Sequence, residues 1–427
     1  MQRSGLNNSL MTVGKLQVIE PCTQNAKGEQ RANYFKYFYT HSQPQRYLFM
    51  QIDYSKRIFG LDLMRAVAIL FVVFSHALWI MPELPGLPGE LLRLMGVLGV
   101  EIFFVLSGFL IGRILLKIFK DGYSANQMKY FWVRRWFRTL PNYYLILLVN
   151  IGILFYVGRD LPDTLWQYFF FIQNAFGAMD IFFTESWSLP IEEYTYLLAP
   201  IIGWGFYKLF KFSPTKSFLY TALLMIFFGF VSKLGYQFSY EGGDMNHWNR
   251  NLKAVMLYRL DAIFYGMLGA YIAQVASNFW KHNRYVLFLL GVFGMLLISF
   301  GIPKFGWFIE SHPVVWNVIY LPFTSLSIAL FLPFLSEWKS APALLRVAFT
   351  WISLLSYAMY LLHYSVVLQL LKFWFPTEVL SPIDKVVYVV VYLLTTFVAS
   401  YVLFRIYERP MMNLRDRPFV KRYFRVD

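Results

Sequence analysis

The chain has 427 residues, of which 58% are hydrophobic, 20% aromatic and only 15% charged. A soluble domain of this length carries far more charge, so the composition excludes a water-soluble globular protein and indicates a polytopic membrane protein. The formal net charge of +15 does not mark a nucleic-acid surface, because the cations recur between apolar segments instead of forming one patch; the single cysteine, Cys22, excludes an internal disulfide, and no zinc-ligand spacing is present.

Residues 1–57 form a polar extension without an apolar signal core and read as poorly ordered or surface-bound. Ten apolar segments follow, each near the ~20 residues a bilayer requires. They are 58–80, 94–116, 139–157, 186–207, 216–236, 256–276, 284–302, 314–335, 350–374 and 385–406. Residues 166–176 are apolar but too short to cross, and read as an interfacial or re-entrant piece. The expected fold is an all-α polytopic membrane bundle of about ten transmembrane helices. It divides into the extension, a membrane domain over 58–410 and a basic tail over 411–427. No internal repeat of the transporter kind is visible.

Lysine and arginine set the expected orientation. With the N-terminus inside, the inner loops hold Lys117, Lys120, Lys129, Arg134, Arg135, Arg138, Lys208, Lys211, Lys216, Lys281, Arg284, Lys339 and Arg346, and the tail adds seven more arginines and lysines. The outer loops hold Arg93, Arg159, Lys233, Arg250, Lys253, Lys304 and Lys385. Both termini are therefore expected in the cytoplasm, with Arg65 in the inner half of the first span and His76 and Glu192 in the outer halves of theirs.

Ionisable groups inside spans are expensive and call for a reason. Arg65 and His76 are eleven residues apart, almost three helical turns, so they share a face and lie about 16 Å apart along the axis. Asp62 shares that face and could pair with Arg65. His76 is the leading candidate for a general base. Glu192, beside Glu193 at a helix start, could pair with His76 or an arginine. Arg135 and Arg138, with Arg134 beside them, suit either a positive-inside anchor or a phosphate clamp. Gly108 and Gly112 form a GxxxG pair, and Ser107 beside it reads as a packing hydroxyl more than a nucleophile. Glu101, Arg259, Asp261 and the intramembrane His363 are further candidates, each with a structural reading as an ion pair or a satisfied core group.

Seven pieces in this order resemble the acyltransferase 3 family of integral membrane acyltransferases. They are Gly60-Leu-Asp-Leu-Met-Arg-Ala with His76; Gly99-Val-Glu-Ile-Phe-Phe-Val-Leu-Ser-Gly-Phe-Leu; Arg134-Arg-Trp-Phe-Arg-Thr-Leu-Pro; Trp187-Ser-Leu-Pro-Ile-Glu-Glu-Tyr; Arg259-Leu-Asp-Ala; Ser356-Tyr-Ala-Met-Tyr-Leu-Leu-His; and Tyr407-Glu-Arg-Pro. The resemblance implies a lipid-embedded O-acyltransferase that uses acyl-CoA, often acetyl-CoA, as donor substrate and a carbohydrate or other extracytoplasmic hydroxyl as acceptor. No permanently bound cofactor or metal is expected. It implies essential roles for Arg65 and His76, donor binding by Arg135 and Arg138, and a role for Glu192. The chain departs from the family's usual pattern at Glu101 (often Asp), Pro190 (often Ser), Tyr194 (often Gln) and Ser365 (commonly Pro). The residues alone leave a secondary transporter open, and likewise a scaffold of a polysaccharide export system.

Overall fold

The computed structural model describes residues 52–378 and 380–415, and all regular structure among them is helical. The chain divides into two units at Lys56. Of the first, the described part is a short turn, Tyr54–Lys56, in which Ser55 donates from its backbone N–H and its Oγ to Asp53 Oδ1 at 3.1 and 2.5 Å. The expectations for residues 1–51 and 416–427 lie outside the described residues.

The second unit is built on ten long helices: α1 (Phe59–Trp79), α2 (Gly86–Ile118), α3 (Ala125–Val157), α4 (Ser188–Leu209), α5 (Pro214–Phe238), α6 (Asp261–Val275), α7 (Arg284–Lys304), α8 (Val315–Glu337), α9 (Ala343–Trp374) and α10 (Pro382–Arg415). Each covers one of the ten apolar segments. Eight are long and apolar enough to cross a membrane. A ninth span results if Met245–Lys253 and Met256–Val275, bent by 84° at their junction, form one broken crossing. The protein is thus an integral membrane protein. The tenth expected span, α4, has the length, with 22 residues and about 33 Å, but not the apolarity, because Glu192 and Glu193 stand in its first turns. Residues 166–176 begin with a short helix, Leu165–Phe169, and then fold back into the protein, where Tyr168, Gln173 and Asn174 are buried.

α3 starts at a reciprocal capping box between Ser124 and Gln127 and ends at Gly158, whose φ of 69° suits glycine. It runs unbroken through Pro141, so Arg134, Arg135 and Arg138 lie inside a 33-residue helix and not in a loop before it.

α2 is the hub. It packs along both α1 and α6, while α9 covers α1 and α5 covers α6. The apolar stretches of α1, α2 and α9 are 56%, 56% and 67% buried, against 22% for those of α7 and α10. The latter present side chains such as Leu289, Phe293, Leu394 and Val398 outward, as a lipid-facing ring requires. α2 and α6 touch backbone to backbone. A Cβ on Gly108 would stand 1.8 Å from the Ile263 carbonyl oxygen, and one on Gly266 1.9 Å from that of Val105. Small residues permit this approach where apolar burial alone drives no association. Gly99 meets Ala68 and Val72 in the same way, and Gly96 meets Ser75, which fixes the antiparallel register of α1 on α2.

Gly266→Leu is therefore expected to prevent α6 from seating and to lower the melting temperature or the yield of monodisperse protein in detergent. Gly152→Ala, on α3 with nothing within 4 Å of an added Cβ, is expected to leave both unchanged. Thermal stability followed by size-exclusion chromatography compares the two.

Candidate active site

Helices α1, α2, α3, α4 and α9 enclose a cavity of about 520 Å³. One face of α2 forms its long wall, from Val100 through Ser107 and Ile114 to Lys117, a length of about 26 Å at 1.5 Å per residue. Arg65 projects from α1, Arg135 and Arg138 from α3, Glu192 and Tyr196 from α4, and Tyr357 and Tyr360 from α9. Arg113 and Lys117 stand at one end, and Val100, Phe103, Phe104 and Tyr360 at the other.

The middle of the cavity is cationic. Three guanidinium groups face one carboxylate, Glu192. Tyr196, one turn along α4, donates its phenol proton to Glu192 Oε2 at 2.7 Å, and Ser107 Oγ donates in turn to the Tyr196 oxygen. The Arg135 guanidinium lies 6.0 Å from the centre of the Tyr196 ring. Arg65 makes no side-chain hydrogen bond among the described residues. Positive charge in excess of its counter-charge, enclosed by low-dielectric walls, is an arrangement for an anion.

Beyond the aromatic end lies a pair of imidazoles. His363 is fully buried, and its Nε2 stands 3.2 Å from Nδ1 of His76. The hydrogen-bond partners assign the protons. His363 Nδ1 faces the carbonyl oxygens of Tyr360 and Met359 at 2.8 and 3.1 Å, which only accept, so Nδ1 carries the hydrogen and Nε2 is an acceptor. His76 Nδ1 faces the Val72 carbonyl oxygen at 2.8 Å and donates to it and to His363 Nε2. Nε2 of His76 is left with a free lone pair, and no described side chain binds it. Tyr360 joins this pair to the cavity. It lines the cavity, its ring centre lies 5.9 Å from that of His363, and its hydroxyl bonds Ser188 Oγ at 2.6 Å and the Glu185 carbonyl at 2.7 Å.

The helix carrying His363 widens to a π turn over His363–Leu368, a feature often found at functional sites. There Ser365 donates from its backbone N–H and its Oγ to Glu185 Oε1 at 3.1 and 2.6 Å. A proline at this position, common in the family the sequence resembles, would supply neither donor.

Several expected pairings fall elsewhere. Asp62 binds Arg57, with Nε 2.7 Å from Oδ2, together with Ser353, and not Arg65. The reason is that Arg57, five residues before Asp62, reaches back from the helix start. Glu192 lies among the arginines at the level of Arg65 and does not contact His76; α4 enters the bundle deeper than the loop before it suggests. Arg134 is not part of the cavity wall and instead donates to the Tyr130 hydroxyl at 2.8 Å, one turn away. Glu101, Arg259 and Asp261 are in contact with protein on all sides, with exposures of 0%, 1% and 1%. Arg259 pairs with Glu101, which also accepts from Ser325 at 3.0 Å, and Lys233 pairs with Asp261 at 2.7 Å. Lys233, expected in an outer loop, is thus a buried residue of α5. Tyr196, Tyr360, Glu185 and Arg113 escaped sequence reading. For Tyr196 the signal was present: it stands four residues after Glu192, on the same helix face.

A helix-enclosed cationic cavity, with Tyr360 between it and the His76–His363 pair, is the candidate site of a membrane-embedded protein. Residues 58–405 match the acyltransferase domain family (acyltransferase 3), and the chain belongs to it. Curated relatives include the peptidoglycan O-acetyltransferase OatA of Listeria monocytogenes, 32% identical over 171 residues, covering 36% of this chain and 26% of that protein. A putative O-acetyltransferase of Staphylococcus aureus is 32% identical over 157 residues, 34% of this chain and 24% of its own. The putative peptidoglycan O-acetyltransferase YrhL of Bacillus subtilis is 31% identical over 169 residues, 36% and 25%. The alignments thus span about a quarter of each relative's length. No solved structure matches the chain.

Arg259→Met leaves the Glu101 carboxylate buried without its cation and is expected to destabilise the protein by about 3–5 kcal/mol. Adding Glu101→Leu is expected to restore most of the loss, since both charges are then gone. Thermal unfolding of the two variants in one detergent separates these outcomes.

Proposed function

We propose that this chain is an O-acyltransferase that moves an acyl group, acetyl by analogy with its relatives, from acyl-CoA to a hydroxyl of an extracytoplasmic carbohydrate of the peptidoglycan type. The observation that carries this reading is the alignment of the arginine-lined cavity with the His76–His363 pair along one helix. Arg65 and His76 lie about 16 Å apart. The pantetheine arm of coenzyme A has twelve bonds between its diphosphate and its sulfur, about 14 Å at the ~1.2 Å per bond of an extended chain. Phosphates held at Arg65, Arg135 and Arg138 therefore leave the thioester at the level of His76.

In the proposed reaction, His76 Nε2 takes the proton of the acceptor hydroxyl as its oxygen attacks the thioester carbonyl carbon. The C–S bond breaks as the new C–O bond is completed, and the imidazolium returns the proton to the departing thiolate. His363 Nε2, accepting from His76 Nδ1–H, fixes the tautomer and stabilises the transient imidazolium. A positioned base of this kind contributes about 10²–10⁴ in rate. The aromatic end of the cavity excludes water from the thioester, and Tyr360 turns aside to admit the arm. The family match favours an enzyme over a transporter or an export scaffold, which need no such base.

The cytoplasmic placement of both termini belongs to the same proposal. The burial of Lys233 removes it from the outer loops and supports this orientation by enlarging the inside excess of cations. In the proposed orientation the Arg113–Lys117 end of the cavity faces the cytoplasm, where the donor is made.

His76→Ala is expected to abolish acyl transfer while the protein still inserts and binds coenzyme A; full turnover by this variant would rule out the base. Replacing Arg135 and Arg138 together by Gln is expected to raise the Michaelis constant for acyl-CoA at least tenfold, and an unchanged value would leave them as membrane anchors. In a Cys22→Ser background, Glu83→Cys is expected to react with an impermeant maleimide on intact cells. Reaction only after permeabilisation would invert the orientation.

A further inference from the structure

The cationic middle of the cavity accounts for one of the two phosphate groupings of coenzyme A. At the mouth, Arg113 and Lys117 are exposed, line the same cavity and stand four residues apart on the cavity face of α2. The Arg113 guanidinium lies 5.7 Å from the centre of the Phe109 ring, and neither cation makes a hydrogen bond or ion pair with an acid among the described residues. Both lie outside the sets already used, since the reaction needs neither and the bundle packs without them.

We infer that Arg113 and Lys117 form a second anion subsite, which recognises the 3′-phosphate of the donor's nucleotide. The inference rests on the acyl-CoA reading above and follows from spacing. Ser107, bonded to Tyr196 beneath Arg135, marks the level of the inner arginines on α2. Arg113 lies six residues further on and Lys117 ten, about 9 and 15 Å along the helix. In coenzyme A, six bonds separate the 5′-phosphorus from the 3′-phosphorus, about 7 Å at ~1.2 Å per bond. With the diphosphate on the inner arginines, the 3′-phosphate reaches Arg113, and the long side chain of Lys117 extends back to the same anion. An arginine forks onto two phosphate oxygens while lysine adds a point charge. The Phe109 ring supports the guanidinium at the mouth. The sulfur, the diphosphate and the 3′-phosphate then fall in one register along α2, at His76, at Arg65–Arg135–Arg138 and at Arg113–Lys117.

The test titrates the purified full chain in detergent with coenzyme A and with 3′-dephospho-coenzyme A. The wild type is expected to bind coenzyme A about ten- to a hundredfold more tightly. Arg113→Gln with Lys117→Gln is expected to weaken coenzyme A binding until the two ligands bind alike. Equal binding of both ligands by the wild type, or a preference that persists in the double variant, overturns the inference; the latter is the outcome if the pair serves anionic lipid headgroups instead. Wild-type protein that binds neither ligand overturns the acyl-CoA reading itself. Both side chains are exposed, so the variants are expected to fold, and a monodisperse elution profile verifies it.

Discussion

The structure depends on what the two sides of α2 do. One side carries Gly108 and Gly112 and lies against α6 so closely that no side chain fits between them. The other carries Ser107, Ile111, Ile114 and Lys117 and faces a cavity. The seals against α6 and, through Gly96 and Gly99, against α1 hold the helix in place, so α3, α4 and α9 can stand apart from it and leave a polar slot within a protein that is apolar outside. A helix held only by interdigitated side chains would close that slot.

The same constraint sorts the charges. In hydrocarbon a charged group must be paired, enclosed or in contact with water. Glu101 with Arg259, and Asp261 with Lys233, take the first course and tie α2, α5 and α6 together behind the glycine contact. Arg65, Arg135 and Arg138 take the second and line the cavity, with Glu192 as the one carboxylate in its wall. That contrast, and not the mere presence of ionisable residues in spans, separates the bundle's structural charges from those of the site.

Much of this is legible in the sequence, and the boundary is physical. Hydropathy located the helices because apolar length is what a bilayer demands, and its signal is weakest at α4, where two carboxylates lower the apolarity of a helix that is long enough. Helical periodicity placed Arg65 and His76 on one face, and it is a property of one helix alone. It says nothing about which distant segment covers that face, so the partner of His76 remained hidden: His363 lies 287 residues away. Local competition was equally invisible at Asp62, which had two arginines within reach and took the one before the helix. The depth of Glu192 was misread because the loop ahead of α4 folds inward. The order of motifs along the chain pointed to the family more firmly than any single residue did.

The imidazole pair has one further consequence. One ring nitrogen of His363 is committed to backbone carbonyls, and the other receives the hydrogen of its neighbour. The couple can take up a single extra proton at the outer nitrogen of His76 without disturbance. A second would have to land on the nitrogen that joins the rings, setting two N–H groups against each other. Mild acidification thus adds charge at the outer nitrogen of His76 and leaves the contact between the rings intact; only a second proton acts as a wedge, driving α1 and α9 apart where the rings now meet.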